Sequence, residues 1–299
     1  MALPLKSSIN PEAKDLSNQA PVRIIPRLDI KGPNLVKGIH LEGLRVLGKP
    51  ERFARYYYEA GADEMMYVDV VASLYNRNSL HDIVSKTAKE LFIPLTVAGG
   101  IRTIEDIRDI LRAGADKVAL NTAVTKNPGM IKTASRKFGS STIVICIEAI
   151  KQKDGRYLVY TDNGREYTGI EVLSWAQRVE ELGAGEIVIT SVDQEGTGLG
   201  FDLELTRSVA EAVTIPVIAH GGAGNCGHVR SVIQEGNADA IAIASMFHYG
   251  CLTGDCTEDY KKEGNTEFLK SGRAFSKITT TSICELKRYL LGDLIPCRY

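Results

Sequence analysis

The sequence predicts an α/β fold: a closed (β/α)8 barrel of the TIM type with a two-fold half-barrel repeat. Three observations carry this. Eight short apolar runs alternate with amphipathic segments, a pattern that favours a parallel sheet flanked by helices. Eight such units in roughly 250 residues fit a closed barrel better than an open doubly wound sheet. The chain also repeats itself. IPLTVAGGIRTIEDIRDILRAGADKVALNTA, from Ile93, is echoed by IPVIAHGGAGNCGHVRSVIQEGNADAIAIAS, from Ile215, at an offset of 122 residues that becomes 123 near Asn237. GADEMMYVD (from Gly61) is echoed by GAGEIVITS (from Gly183), and RIIPRLD (from Arg23) by TIVICIE (from Thr142).

In chain order, residues 1–20 are polar and aperiodic and read as a flexible arm; 21–299 form one barrel domain. Strands are predicted at Val22–Asp29, Glu64–Val70, Pro94–Val97, Lys117–Asn121, Thr142–Glu148, Glu186–Thr190, Pro216–His220 and Ala240–Ala244. Between them, helical spacing appears at Pro50–Ala60, Ile104–Ala113, Ile170–Leu182 and Gly227–Glu235. Trp175 lies in the third of these, in step with Val172, Val179 and Leu182, and reads as core. A long loop follows strand one, a lid candidate. Thr281, Ser282 and Glu285 read as the capped start of a final helix, Cys284–Leu291.

Composition excludes several function classes. Of 299 residues, 36 are Lys or Arg and 37 Asp or Glu, for a net charge of −1, which argues against a nucleic-acid surface or an acidic tail. No apolar run approaches the roughly 20 residues of a membrane helix. The N-terminus lacks the apolar stretch of a secretory signal, so a cytoplasmic protein is expected. Six cysteines without a CxxC pair read as plain thiols. Five histidines share no ligand spacing, and no nucleotide loop stands in the right context, so neither metal nor cofactor is expected.

The repeat doubles the functional residues too. Gly99–Gly100 follows strand three and Gly221–Gly222 follows strand seven, each where a helix begins. Glycine admits close backbone approach, and free N–H groups at a helix start attract anions. Asn121–Thr122 and Ala244–Ser245, after strands four and eight, could complete each cradle. The pattern points to two phosphates across the barrel mouth. Asp29 and Glu148 end strands one and five, which face each other across an eight-stranded barrel. That suits a general acid and a general base at two ends of one molecule. Lys31 and Lys37 follow strand one and could bind an anion.

RIIPRLDIKGPNLVKG, GADKVALNTAV, GAGEIVITSVDQEGTGLGFD and IPVIAHGGAG resemble the HisF family, the cyclase subunits of imidazole glycerol phosphate synthase. The likeness runs from about Val22 to Gly250 and resumes near Ile278. It implies an ammonia-dependent lyase of histidine biosynthesis that converts a bisphosphorylated aminoimidazole carboxamide ribonucleotide (PRFAR) to imidazole glycerol phosphate and AICAR. The ammonia would come through the barrel from a glutaminase (HisH-like) partner. Residue by residue, the resemblance makes Asp29 and Glu148 the catalytic pair and Lys37 the loop-one lysine. Gly100, Asn121 and Thr122 would hold one phosphate; Gly196, Gly222, Ala244 and Ser245 the other, together with Asp193, Thr197, His220 and Gly221. Arg23, Glu64, Lys117 and Glu186, which start strands one, two, four and six, would form the ammonia gate. Two positive and two negative charges inside a barrel must pair.

Four positions depart from the family pattern. Glu148 stands where an aspartate is usual and reaches about 1.5 Å further. A misplacement of about 1 Å can cost roughly 10²-fold in rate. His220 replaces a serine, Arg27 a cysteine and Glu195 an aspartate. By strand alternation Arg27 is expected beside Asp29, keeping it ionised. The departures lie on the catalytic face; the gate is intact. An alternative expectation follows: a HisF-like ammonia-channelling subunit of an amidotransferase that aminates sugar nucleotides for surface polysaccharide. The sister isomerase of histidine biosynthesis fits the gate and the 186–200 string less well. Residues 251–277 read as a polar insertion.

Overall fold

The computed structural model describes residues 20–72, 80–253 and 277–298. The expected N-terminal arm (1–20) and insertion (251–277) fall almost wholly outside them.

Eight parallel strands form the barrel: β1 (Arg23–Lys31), β4 (Met65–Asp69), β5 (Leu95–Ala98), β6 (Lys117–Leu120), β7 (Ile143–Lys151), β10 (Glu186–Ser191), β11 (Val217–His220) and β12 (Ala240–Ile243). Each pairs with its neighbour in that order, β12 pairs with β1, and β7 pairs with β10, so the barrel has no open edge. β1 and β7 are four strands apart on either path and therefore face each other.

The helices α1 (Pro50–Glu59), α2 (His81–Thr87), α3 (Ile104–Ala113), α4 (Thr122–Lys126), α5 (Gly129–Phe138), α6 (Val172–Glu181), α7 (Leu203–Ala212), α8 (Cys226–Gln234), α9 (Ser245–Thr253) and α10 (Ile283–Gly292) follow the strands. Their apolar stripes pack on the outward strand faces, where Ile24, Leu28, Val97, Val118, Ile187 and Ile241 join the main core. Trp175, Val172 and Val179 are buried on α6 as their spacing requires. The repeat extends to capping. Thr103 accepts from the Asp106 amide at the start of α3, and Asn225, 122 residues on, accepts from the His228 amide at the start of α8. Ser282 and Glu285 form the expected capping box on α10.

Two strand pairs were not anticipated. The expected loop after β1 is an antiparallel hairpin, β2 (Asn34–Ile39) and β3 (Glu42–Gly48). A second hairpin, β8 (Tyr157–Thr161) and β9 (Glu166–Glu171), follows β7, so α6 begins at Val172 rather than Ile170. Each half of the repeat thus inserts a hairpin after its first strand. Each hairpin tip crosses to the other half: the His40 amide donates to the Glu195 carbonyl (2.9 Å), and Asn163 Nδ2 donates to the Val70 carbonyl (2.5 Å).

One further expectation is corrected. Cys251 is disulfide-bonded; Cys146, Cys226, Cys284 and Cys297 are free thiols.

Candidate active site

The site follows from the two-residue period of a strand. On β1, Ile24, Leu28 and Ile30 face the helices, which turns Arg23, Ile25, Arg27 and Asp29 into the barrel. Each inward position serves a different depth.

At the bottom, Arg23 Nη1 bonds Glu64 (2.6 Å) and Glu186 (2.9 Å), and Lys117 Nζ bonds the same two carboxylates at 3.0–3.2 Å. The four predicted gate residues therefore form a closed, neutral ring. Removing one partner from a buried ion pair leaves an uncompensated charge and costs about 3–5 kcal/mol. Glu64→Gln strands two cations against one remaining anion, and a stability loss of that size is expected in chemical denaturation.

Above the ring lies an apolar layer that includes Ile25, Met66, Ala119, Val144, Val188 and Ile218. Above that layer the mouth is charged. Arg27, 6% exposed, donates from Nε to Asp29 Oδ1 (2.9 Å) and from Nη1 to His220 Nδ1 (3.0 Å). The expected contact between Arg27 and Asp29 is present. Arginine only donates, so His220 carries no proton on Nδ1. Burial, then Arg27 and Lys37, push His220 well below its ordinary value, so the ring is neutral. Lys37 is not in a loop: it lies on β2, 3% exposed, and its ammonium pairs with Glu195 and approaches Asp29 at 3.8 Å.

The two carboxylates are driven apart. Burial alone would raise the Asp29 carboxyl, but Arg27 and Lys37 outweigh it and hold the acid below its ordinary range. Glu148 stands on the opposite strand. Burial raises its carboxyl to about 7, and the Gly164 amide (2.8 Å) and Arg27 pull it back only partly. Near neutral pH, Asp29 is ionised while Glu148 is close to half protonated.

The phosphate-loop residues fall at two unequal ends. Gly99, Gly100, Asn121, Thr122 and Glu148 line a cavity of about 400 Å³. Gly196, His220, Gly221, Gly222, Ala244 and Ser245 surround one of only about 20 Å³. Asp193 and Thr197 line neither: Asp193 is exposed and accepts from the Lys151 amide (2.9 Å), and Thr197 closes its own turn on the Gln194 carbonyl (2.7 Å). Arg102, Lys126 and Asp162, which also line the larger cavity, were not anticipated. Asp162 could have been, since Asp162-Asn163-Gly164 is a hairpin-turn signature.

The glycines are required at both ends. A Cβ on Gly99 would lie 2.4 Å from the Asp69 carbonyl oxygen, and one on Gly222 would lie 1.9 Å from that of Gly200. Both sit at left-handed φ, +97° and +103°. That backbone costs an L-residue about 1–2 kcal/mol before any clash. Gly222→Ala is therefore expected to lower the melting temperature by several degrees.

Comparison with known proteins agrees with this geometry. Residues 23–253 match the family model described as Histidine biosynthesis protein. Three relatives named "Imidazole glycerol phosphate synthase subunit HisF" are similar to the chain. The one from Legionella pneumophila is 60% identical over 68% of this chain and 96% of its own length. That from Alkaliphilus metalliredigens is 50% identical over 76% and 90%. That from Trichormus variabilis is 46% identical over 81% and 95%. A closed barrel of two half-repeats, with carboxylates facing each other across the mouth and a ring of ion pairs beneath, together with these matches, places the chain in the histidine biosynthesis family as a member of its HisF subunits.

Proposed function

We propose that this chain is the cyclase subunit of an imidazole glycerol phosphate synthase, a lyase of histidine biosynthesis. Its substrate is a bisphosphorylated aminoimidazole carboxamide ribonucleotide, and its second substrate is ammonia. The observation that carries the reading is the pair Asp29 and Glu148, held on opposite strands with their proton affinities pushed in opposite directions. Building a ring around an incoming nitrogen requires protons to leave that nitrogen and others to reach departing oxygen or nitrogen. One ionised and one protonatable carboxylate, on either side of the bound molecule, meet both needs. Asp29 is assigned the proton-accepting role and Glu148 the donating one.

Gly100, Asn121 and Thr122 bind one phosphate; Lys37 and the Gly196, Gly222 and Ser245 end receive the other. Asp193 and Thr197 support the loop from outside. Ammonia enters from a glutaminase subunit docked at the bottom face, past Arg23, Glu64, Lys117 and Glu186. Among the described residues no helix is long and apolar enough to cross a membrane, in keeping with work in the cytoplasm.

The test is an assay near neutral pH with the bisphosphate and excess ammonium salt, which bypasses the glutaminase. Formation of imidazole glycerol phosphate at an ordinary enzyme rate is expected. Folded protein that forms none would refute the reading.

A further inference from the structure

The two phosphate ends differ by more than shape. At the Gly221–Gly222 end Glu195, 1% exposed, lines the small cavity beside Lys37. Its Oε1 takes the Lys37 ammonium, and its Oε2 accepts the Leu41 amide at 2.9 Å. Its own carbonyl accepts the His40 amide at 2.9 Å, so one residue engages both hairpin-tip positions, each at a left-handed φ (+51° and +61°). Gly196 lies against the same tip, where a Cβ would meet the Gly38 carbonyl oxygen at 2.8 Å. The space left beside Gly222 and Ser245 is about 20 Å³. Roughly 10–15 Å³ is needed for one water, so this end admits a water and not the five heavy atoms of a phosphate group. At the Gly99–Gly100 end a carboxylate is also near, since Thr122 Oγ1 donates to Asp162 Oδ1 at 3.4 Å, but the contact leaves a cavity of about 400 Å³ among the described residues.

The geometry points to Glu195 as a built-in counter-anion: it occupies the second phosphate site, pins the β2–β3 hairpin shut through Lys37 and Leu41, and must be displaced before a second phosphate can bind. At rest the top face therefore takes one phosphate, at Gly99–Gly100 and Asn121–Thr122. A bisphosphate docks by that end first and opens the other by exchanging its second phosphate for the Glu195 carboxylate on Lys37. The exchange replaces one anion with another beside a buried cation, so Lys37 keeps a counter-charge throughout. This rests on the proposed phosphate role of the Gly221–Gly222 loop.

The test is an amide-resolved NMR titration of the full chain with inorganic phosphate, in the wild type, Glu195→Ala and Glu195→Asp. The second variant keeps the charge and withdraws it by about 1.5 Å, which guards against a folding defect in the first. In the wild type the Gly100 and Thr122 amides are expected to shift, while Gly222 and Ser245 stay still to at least ten-fold higher phosphate. In the variants that fold, Gly222 and Ser245 should respond in the same range as Gly100. The proposal is overturned if Gly222 and Ser245 shift alongside Gly100 in the wild type, if they stay silent in the folded variants, or if Gly100 itself never responds. The titration needs no turnover, so failure of the cyclase reading would show separately, as a folded protein that binds phosphate and makes no product.

Discussion

Asp29→Asn is expected to lower ammonia-dependent turnover by about 10²–10⁴-fold, the usual worth of a positioned proton-transfer group. The substitution keeps the shape and one acceptor oxygen, so Arg27 retains a partner at the Oδ1 position. What it removes is the negative charge that Arg27 and Lys37 now share. Both cations are buried, so some stability should be lost as well. A melting curve separates the two effects: a folded variant with turnover down a hundred-fold or more supports the role, and a folded variant with near-normal turnover removes Asp29 from the chemistry. The loss should fall on kcat, because the phosphate loops that bind the substrate are untouched.

Glu148→Gln is expected to cause a loss of comparable size and to change the pH profile. With its carboxyl raised to about 7, a proton-donating Glu148 gives a rate that falls as pH rises through that value, measured at constant free ammonia. Glutamine cannot titrate, so this limb should vanish from whatever activity remains. Stability carries the same signature. Between the ordinary glutamate value of 4.5 and about 7, the folded chain holds a proton that the unfolded chain has lost. The contribution of Glu148 to stability therefore falls with pH across that window and levels off above it, against the rise that the buried neutral rings of His220 and His248 give up to their ordinary value of 6.5. The variant should lack this slope and melt higher than the wild type at pH 8, and calorimetry from pH 5 to 8 would show it. A melting-temperature difference between wild type and variant that stays constant from pH 5 to 8 would mean that Glu148 titrates as an ordinary carboxylate.

Much of this was legible in the sequence because it depends on period and repetition. Eight apolar runs and a 122-residue echo define the barrel, and the nearby echo of RIIPRLD in TIVICIE, 119 residues on, pairs Asp29 with Glu148 without reference to any other protein. Strand alternation puts Arg27 on the same face as Asp29, two residues away. The hairpins were less legible, for different reasons. The second carries Asp162-Asn163-Gly164, whose left-handed backbone suits those residues, so its turn has a local signal. The first turns through His40 and Leu41, also left-handed, and leucine gives no such signal; that turn is held by tertiary bonds to Glu195. The contact between Lys37 and Glu195 joins residues 158 apart in the chain. No local pattern encodes it, and the inequality of the two phosphate ends depends on it. The gate residues show a further limit. Arg23, Glu64, Lys117 and Glu186 look like surface charges until closure of the barrel turns them toward one another.

The central claim is that the two carboxylates facing each other across the mouth titrate on opposite sides of their ordinary values, Asp29 below and Glu148 above. Carboxyl ¹³C NMR of labelled protein, titrated from pH 3 to 9 with Asp29→Asn and Glu148→Gln to assign the signals, tests it most directly. The Glu148 carboxyl is expected to titrate near 7 and that of Asp29 below the ordinary aspartate range. Two carboxyls titrating together near pH 4 would contradict it.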